Sequence, residues 1–151
     1  MGERNSALIL GILFTLLGVA GFIPAFVSMP SEAAVSLATA PSRFYGKGFG
    51  YLFGLFPINL VHNLVHFAVG IAGIAMSASA KGARTYNRFF AYAYAVLAVL
   101  GMLPSAKTFF GLMPIYGNNV WFNGLTAAIA AYFGLIKPTA QSMDATAASK
   151  S

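Results

Sequence analysis

From Ala7 to Val27 the chain carries no charge, and a run of that length is what a hydrocarbon core of about 30 Å requires at about 1.5 Å per residue. Three further apolar stretches follow it, at about Ile58 to Ala78, Tyr86 to Leu103 and Asn118 to Ile136. The last two are shorter, but their ends carry Tyr86, Arg88, Trp121 and Phe122, which anchor or snorkel at an interface and extend the usable length. Composition agrees: 58% hydrophobic and 8% charged residues lie far outside the balance of a soluble domain. The expected fold class is therefore all-α, a polytopic membrane protein of four transmembrane helices. Residues 1–136 form one domain, and residues 137–151, polar and with little to bury, form a disordered cytoplasmic tail.

The formal net charge of +6 raises the question of nucleic acid, but the nine Lys and Arg residues are scattered between apolar runs and build no basic face. They read instead as determinants of topology. Four spans place Arg4, Lys81, Arg84, Arg88, Lys137 and Lys150 on one side, with the Lys81 to Arg88 segment as a loop. Arg43, Lys47 and Lys107 lie on the other, so the positive-inside rule predicts both termini in the cytoplasm. The nearest small-x-small cleavage pattern, Ala38-Thr39-Ala40, is too far from the first run for a signal peptide, so that run is expected to be retained. With no cysteine, neither a disulfide nor a thiolate metal site can form.

Ser28 to Phe56 becomes the large external loop. Its first half, from Met29-Pro30-Ser31 to Ala40-Pro41-Ser42, is small and polar and suits an irregular connection. In its second half Phe44, Tyr45, Tyr51, Phe53 and Phe56 interleave with Gly46, Gly48, Gly50 and Gly54. Two readings stand for it: an aromatic segment at the headgroup level, or a loop packed over the helix ends.

Punctuation repeats along the chain. The first span ends in Gly21-Phe22-Ile23-Pro24 and the third in Gly101-Met102-Leu103-Pro104. The second opens with Gly54-Leu55-Phe56-Pro57-Ile58 and the fourth with Gly111-Leu112-Met113-Pro114-Ile115. Two matching marks in the same order predict two helical hairpins related by duplication about an axis along the membrane normal. Generic helix punctuation is the competing reading, since proline suits a helix's first turn and its end.

Apolar patterning breaks inside a span at one place, Asn59-Leu60-Val61-His62-Asn63-Leu64-Val65-His66. His62 and His66 are four apart and share a helix face, with Asn59 and Asn63 on or beside it. The fourth span begins Asn118-Asn119-Val120-Trp121-Phe122-Asn123, so the two polar sets are expected to converge near the external helix ends. One reading is structural: hydrogen bonds across the bundle that fix its register. The other is a haem, chlorophyll or metal ligand role for His62 and His66. Two imidazoles four apart on one helix cannot take opposite axial positions of one haem, and no Cys, Asp or Glu inside a span completes a metal site. No buried carboxylate relay, phosphate-cradling glycine motif or nucleophile elbow is present, so neither proton-coupled transport by a carboxylate relay nor catalysis is expected, and a relay built of histidines alone stays open.

Small residues mark the packing faces: Gly11, Gly18 and Gly21 in the first span, Gly70 and Gly73 in the second, Ala91, Ala93, Ala95 and Ala98 in the third, and Ala127, Ala130, Ala131 and Gly134 in the fourth. A leftover small-residue face would also dock a partner membrane subunit.

The string from Gly54-Leu55-Phe56-Pro57-Ile58-Asn59 through His62-Asn63 to His66, followed by Gly70 and Gly73, resembles the signature of an uncharacterised bacterial family of four-span membrane proteins, a domain of unknown function. The resemblance covers roughly residues 7 to 136 and implies fold and topology, with no activity to carry over. That family's second repeat carries Asp-Asn-aromatic-x-His after its Gly-x-x-Pro. Here Asn118 to Asn123 lacks both the acid and the second histidine. The expectation is a non-enzymatic accessory or scaffold subunit, partnered by the lipid bilayer and by other membrane subunits or a second copy of itself. A cofactor-binding protein using His62 or His66 is the alternative, and a small-solute transporter the third.

Overall fold

The computed structural model describes residues 2–29 and 46–137, so the proline-rich first half of the long loop, Phe44, Tyr45 and the C-terminal tail lie outside the described residues. The chain is mostly helical. Four α-helices occur among the described residues: α1 (Glu3–Ala20), α2 (Leu60–Met76), α3 (Ala80–Met102) and α4 (Asn118–Ala131), the last continuing into a π turn at Tyr132–Ile136. Two of these stretches, Glu3–Ala20 and Asn118–Ile136, are long and apolar enough to cross a membrane. Leu60–Met76 is a shorter apolar helix.

Local chemistry sets the ends. At the close of α1 the Phe22 and Ile23 amides bond to the Val19 and Ala20 carbonyls at 3.0 Å, and a 3-10 turn at Pro24–Phe26 follows where proline blocks a continued helix. Helix α2 is capped by Asn59, whose side chain accepts from the His62 amide at 2.9 Å. Ser79 caps α3 in the same way, accepting from the Gly82 amide at 3.0 Å. Because Ser79 nucleates the helix there, Lys81, Arg84 and Arg88 stand on the first turns of α3, not in the loop expected from their charge. Long basic side chains on a helix end keep their heads in water, and apolar run length alone does not show where such a helix begins.

A small antiparallel sheet is the departure from an all-helical chain. Strands β1 (Val27–Ser28), β2 (Gly50–Leu52) and β3 (Phe56–Ile58) lie in the order β1-β2-β3. Here the aromatic half of the long loop covers the bundle end: Phe49, Leu52 and Ile58 are buried, while Phe53 turns outward.

Helix α1 packs along α2, α3 along α4, and α1 meets α3 through the core of Ala7, Leu10, Phe14, Ala83, Tyr86, Phe90, Ala91 and Tyr94. Phe14 is the centre, with ring centroids 5.0 Å from Phe90, 5.0 Å from Tyr94 and 4.8 Å from His66, all edge-on. At the far end of the α1–α3 contact Ser6 donates to Asn87 Oδ1 at 3.1 Å, and Asn87 Nδ2 donates to the Glu3 carbonyl at 3.0 Å.

The α1–α2 seam is a backbone contact. A Cβ on Gly18 would lie 2.6 Å from the Phe67 nitrogen, and one on Gly11 2.8 Å from the Gly73 carbonyl carbon. Neither neighbour is a flexible side chain, so the helices would have to separate. Gly18→Leu is therefore expected to destabilise by about 1–3 kcal/mol or more. Gly124→Ala, whose Cβ meets only Ala98 Cβ at 3.9 Å, should be neutral or stabilising by up to about 1 kcal/mol. Thermal unfolding of the two variants in mild detergent checks both.

Candidate functional site

The polar residues singled out in the sequence gather where α2 and α4 begin, beneath the two Gly-Leu-x-Pro segments. Those segments create the demand. Proline at 57 and 114 offers no amide hydrogen and both residues are buried ahead of a helix, where leaving their carbonyls unpaired is costly.

Each carbonyl is met from the other half of the chain. The His62 ring bonds through Nδ1 to the Pro114 carbonyl at 2.8 Å, and Asn119 Nδ2 donates to the Pro57 carbonyl at 2.7 Å. Asn59 Nδ2 donates to the Leu112 carbonyl at 2.9 Å and Asn118 Nδ2 to the Leu55 carbonyl at 3.0 Å. Asn119 also donates to Pro114 at 3.1 Å, and Trp121 Nε1 donates to Asn118 Oδ1 at 3.1 Å. Asn63 Nδ2 closes the set on the first hairpin, donating to the Gly21 carbonyl at 2.8 Å. Asn123 is buried one turn below Asn119.

His66 completes a short chain. Its Nε2 lies 3.1 Å from His62 Nε2, with the rings near perpendicular at 80°. A carbonyl only accepts, so His62 carries its proton on Nδ1. With both rings neutral, His62 Nε2 accepts and His66 Nε2 donates. That leaves His66 Nδ1 as a lone pair, buried and without a hydrogen-bond partner among the described residues, as are Asn63 Oδ1 and the Tyr86 and Tyr94 hydroxyls. Beside His66 is a cavity of about 10 Å³ lined by Leu17, Leu52, Phe56, Ile58, Asn119 and Phe122, the room for about one water.

The structure thus brings together His62, His66, Asn59, Asn63, Asn118 and Asn119. Among the described residues no group of three or more His, Cys, Asp or Glu could hold a metal ion. Sequence reasoning missed Asn87 and its latch to Ser6 and Glu3. The available signal was one amide inside the apolar periodicity of the third run.

Fold and site together define a mostly helical protein whose interior holds a carbonyl-directed Asn and His network. A family model described as a domain of unknown function, DUF4383, matches residues 4–136, and the chain belongs to that family. No curated protein and no solved structure matches it.

Replacing Asn119 with Ala leaves the Pro57 carbonyl unpaired and should cost about 1–3 kcal/mol. His62→Asn should retain more stability than His62→Ala, because an amide already performs the matching task from position 119. Chemical or thermal unfolding of the three variants provides the comparison, and equal losses in the two His62 variants would contradict the assignment.

Proposed function

We propose that the chain is a four-span membrane bundle of two duplicated hairpins with both termini in the cytoplasm. It serves as a non-enzymatic accessory or scaffold subunit for other membrane proteins. The observation that carries this reading is inverted polarity. Asn59 and Asn87 are 0% exposed, whereas Leu16, Phe89 and Trp121 are 62%, 69% and 54% exposed. Outward Ile71, Ile74, Val96, Val99, Leu125 and Ile129 continue that apolar surface over the other helices. Such a surface suits lipid or an apolar partner, and Asn59, His62, Asn63, Asn87, Asn118 and Asn119 each spend a side-chain nitrogen on a backbone carbonyl, as residues that fix a bundle's register do.

Duplication is supported by constant offsets. The burial pattern of residues 6–20 recurs at residues 86–100, a shift of 80, with one change, at Thr15 against Ala95. A shift of 57 relates Pro57 to Pro114, Leu55 to Leu112, His62 to Asn119 and His66 to Asn123, and the His62–Pro114 and Asn119–Pro57 bonds are each other's image. The same shift relates Phe53 and Gly54, at φ 53° and 71°, to Phe110 and Gly111, at 56° and 80°. The difference of the two shifts, 80 − 57 = 23 residues, is the extra length of the first connection.

A cofactor role is favoured by one observation, the open lone pair of His66 Nδ1. Against it, the adjoining space takes one water and not a tetrapyrrole. A histidine proton relay fares no better, since the ring pair ends on the Pro114 carbonyl, which passes no proton onward.

The test is purification in mild detergent with native sizing, a full absorbance spectrum and metal analysis on one peak. Co-elution with other membrane proteins and no chromophore or metal is the expected result. A stoichiometric pigment, haem or metal lost in His66→Ala would replace the scaffold reading. Topology is read separately: the cysteine-free chain allows single cysteines at Ser79 and Ser105, which should label from opposite sides of the membrane.

A further inference from the structure

The bundle end at which α1 and α3 begin carries Arg4, Lys81, Arg84, Arg88 and Lys137, and Glu3 is the one acid among the described residues. Two of these arginines are held in an unusual manner. Arg4 donates from Nε to the Ser77 carbonyl at 3.0 Å, at the end of α2, and Arg88 donates from Nε to the Gly134 carbonyl at 2.9 Å, at the end of α4. Ser77 and Gly134 are again 57 apart. Seating a guanidinium on a helix C-terminus suits the dipole, but the bond uses Nε alone. The Nη1 and Nη2 forks of both residues therefore remain unengaged among the described residues, on side chains that are exposed.

Exposed apolar side chains lie on the same stretches of helix. Tyr92 follows Arg88 by four residues and Tyr132 and Ile136 flank Gly134, while Leu8 follows Arg4 by four and Ile74 precedes Ser77 by three. A planar fork that presents paired donors matches phosphate oxygens, and exposed apolar side chains on the same helices match acyl chains.

We propose that Arg4 and Arg88 form two headgroup sites for anionic phospholipid at this end of the bundle. The proposal rests on the membrane reading above and deepens it by naming a lipid class. Seating on the helix-end carbonyl fixes each guanidinium at the rim, so its fork is pre-organised for a phosphodiester whose chains lie along the helices. The uncompensated positive charge gives such a lipid an advantage over a zwitterionic one.

The full chain is reconstituted in nanodiscs, or held in detergent, with phosphatidylglycerol, phosphatidylcholine or inorganic phosphate, and lipid retention is read by native mass spectrometry. Phosphatidylglycerol should be retained in preference to phosphatidylcholine, with retention falling about fivefold for each of Arg4→Gln and Arg88→Gln. Lys107→Gln, at the opposite end, should leave it unchanged. Arg4→Lys/Arg88→Lys keeps the charge and loses the fork, and should give an intermediate preference in a chain that still unfolds at the parent temperature. Equal retention of both lipids by the parent chain, or an unchanged preference in Arg4→Gln/Arg88→Gln, overturns the proposal. So does competition by inorganic phosphate as effective as that by phosphatidylglycerol, which would assign the forks to a free anion. Extraction of the protein from membranes by alkaline carbonate would instead sink the membrane reading itself, and is measured independently.

Discussion

Carbonyls around two prolines govern this structure. Pro57 and Pro114 are buried just ahead of a helix, and the oxygens at 55, 57, 112 and 114 all precede the helix ladder. Side-chain donors must come from elsewhere, and they come across the bundle, from Asn118, Asn119, Asn59 and His62. Each half supplies what the other lacks, so the register of α2 against α4 is set by directional bonds and not by apolar packing alone. The histidines enter this scheme as longer equivalents of asparagine, and His66 then follows as the donor that satisfies His62.

Much of this was legible in the sequence. Apolar run length pointed to helices at α1, α2 and α4, although the first run, Ala7 to Val27, overshoots α1, which ends at Ala20 before a 3-10 turn and β1. The paired Gly-x-x-Pro marks pointed to the two segments that now exchange hydrogen bonds. Spacing of four placed His62 and His66 side by side, as found. The basic start of α3 was hidden because charge at a helix end looks like a loop until the Ser79 cap is recognised. The sheet was hidden because strands of two and three residues carry too little periodicity to read, and one of its two pairings, Val27 with Leu52, joins segments distant in sequence. Which carbonyl each amide serves is a tertiary fact that residue spacing does not contain.

The two seams between helices are built differently. Gly11, Gly18, Gly70 and Gly73 line the α1–α2 contact, and 80 residues after the first two and 57 after the last two stand Ala91, Ala98, Ala127 and Ala130. Glycine lets backbones meet but lowers helix propensity by about 1 kcal/mol per residue relative to alanine. The first seam is thus closer and intrinsically weaker, and the second is wider and intrinsically more helical.

That asymmetry bears on the order of assembly during synthesis. The N-terminal hairpin emerges first, with the glycine seam and the longer connection, whose closure costs about 1 kcal/mol more than that between α3 and α4. Its carbonyls at 55 and 57 wait for Asn118 and Asn119, which the ribosome delivers late. The first hairpin is accordingly an unfinished half until the second arrives, and a chain arrested before residue 118 would show the quality-control machinery of its cell an end whose buried acceptor at Pro57 has yet to meet its donor.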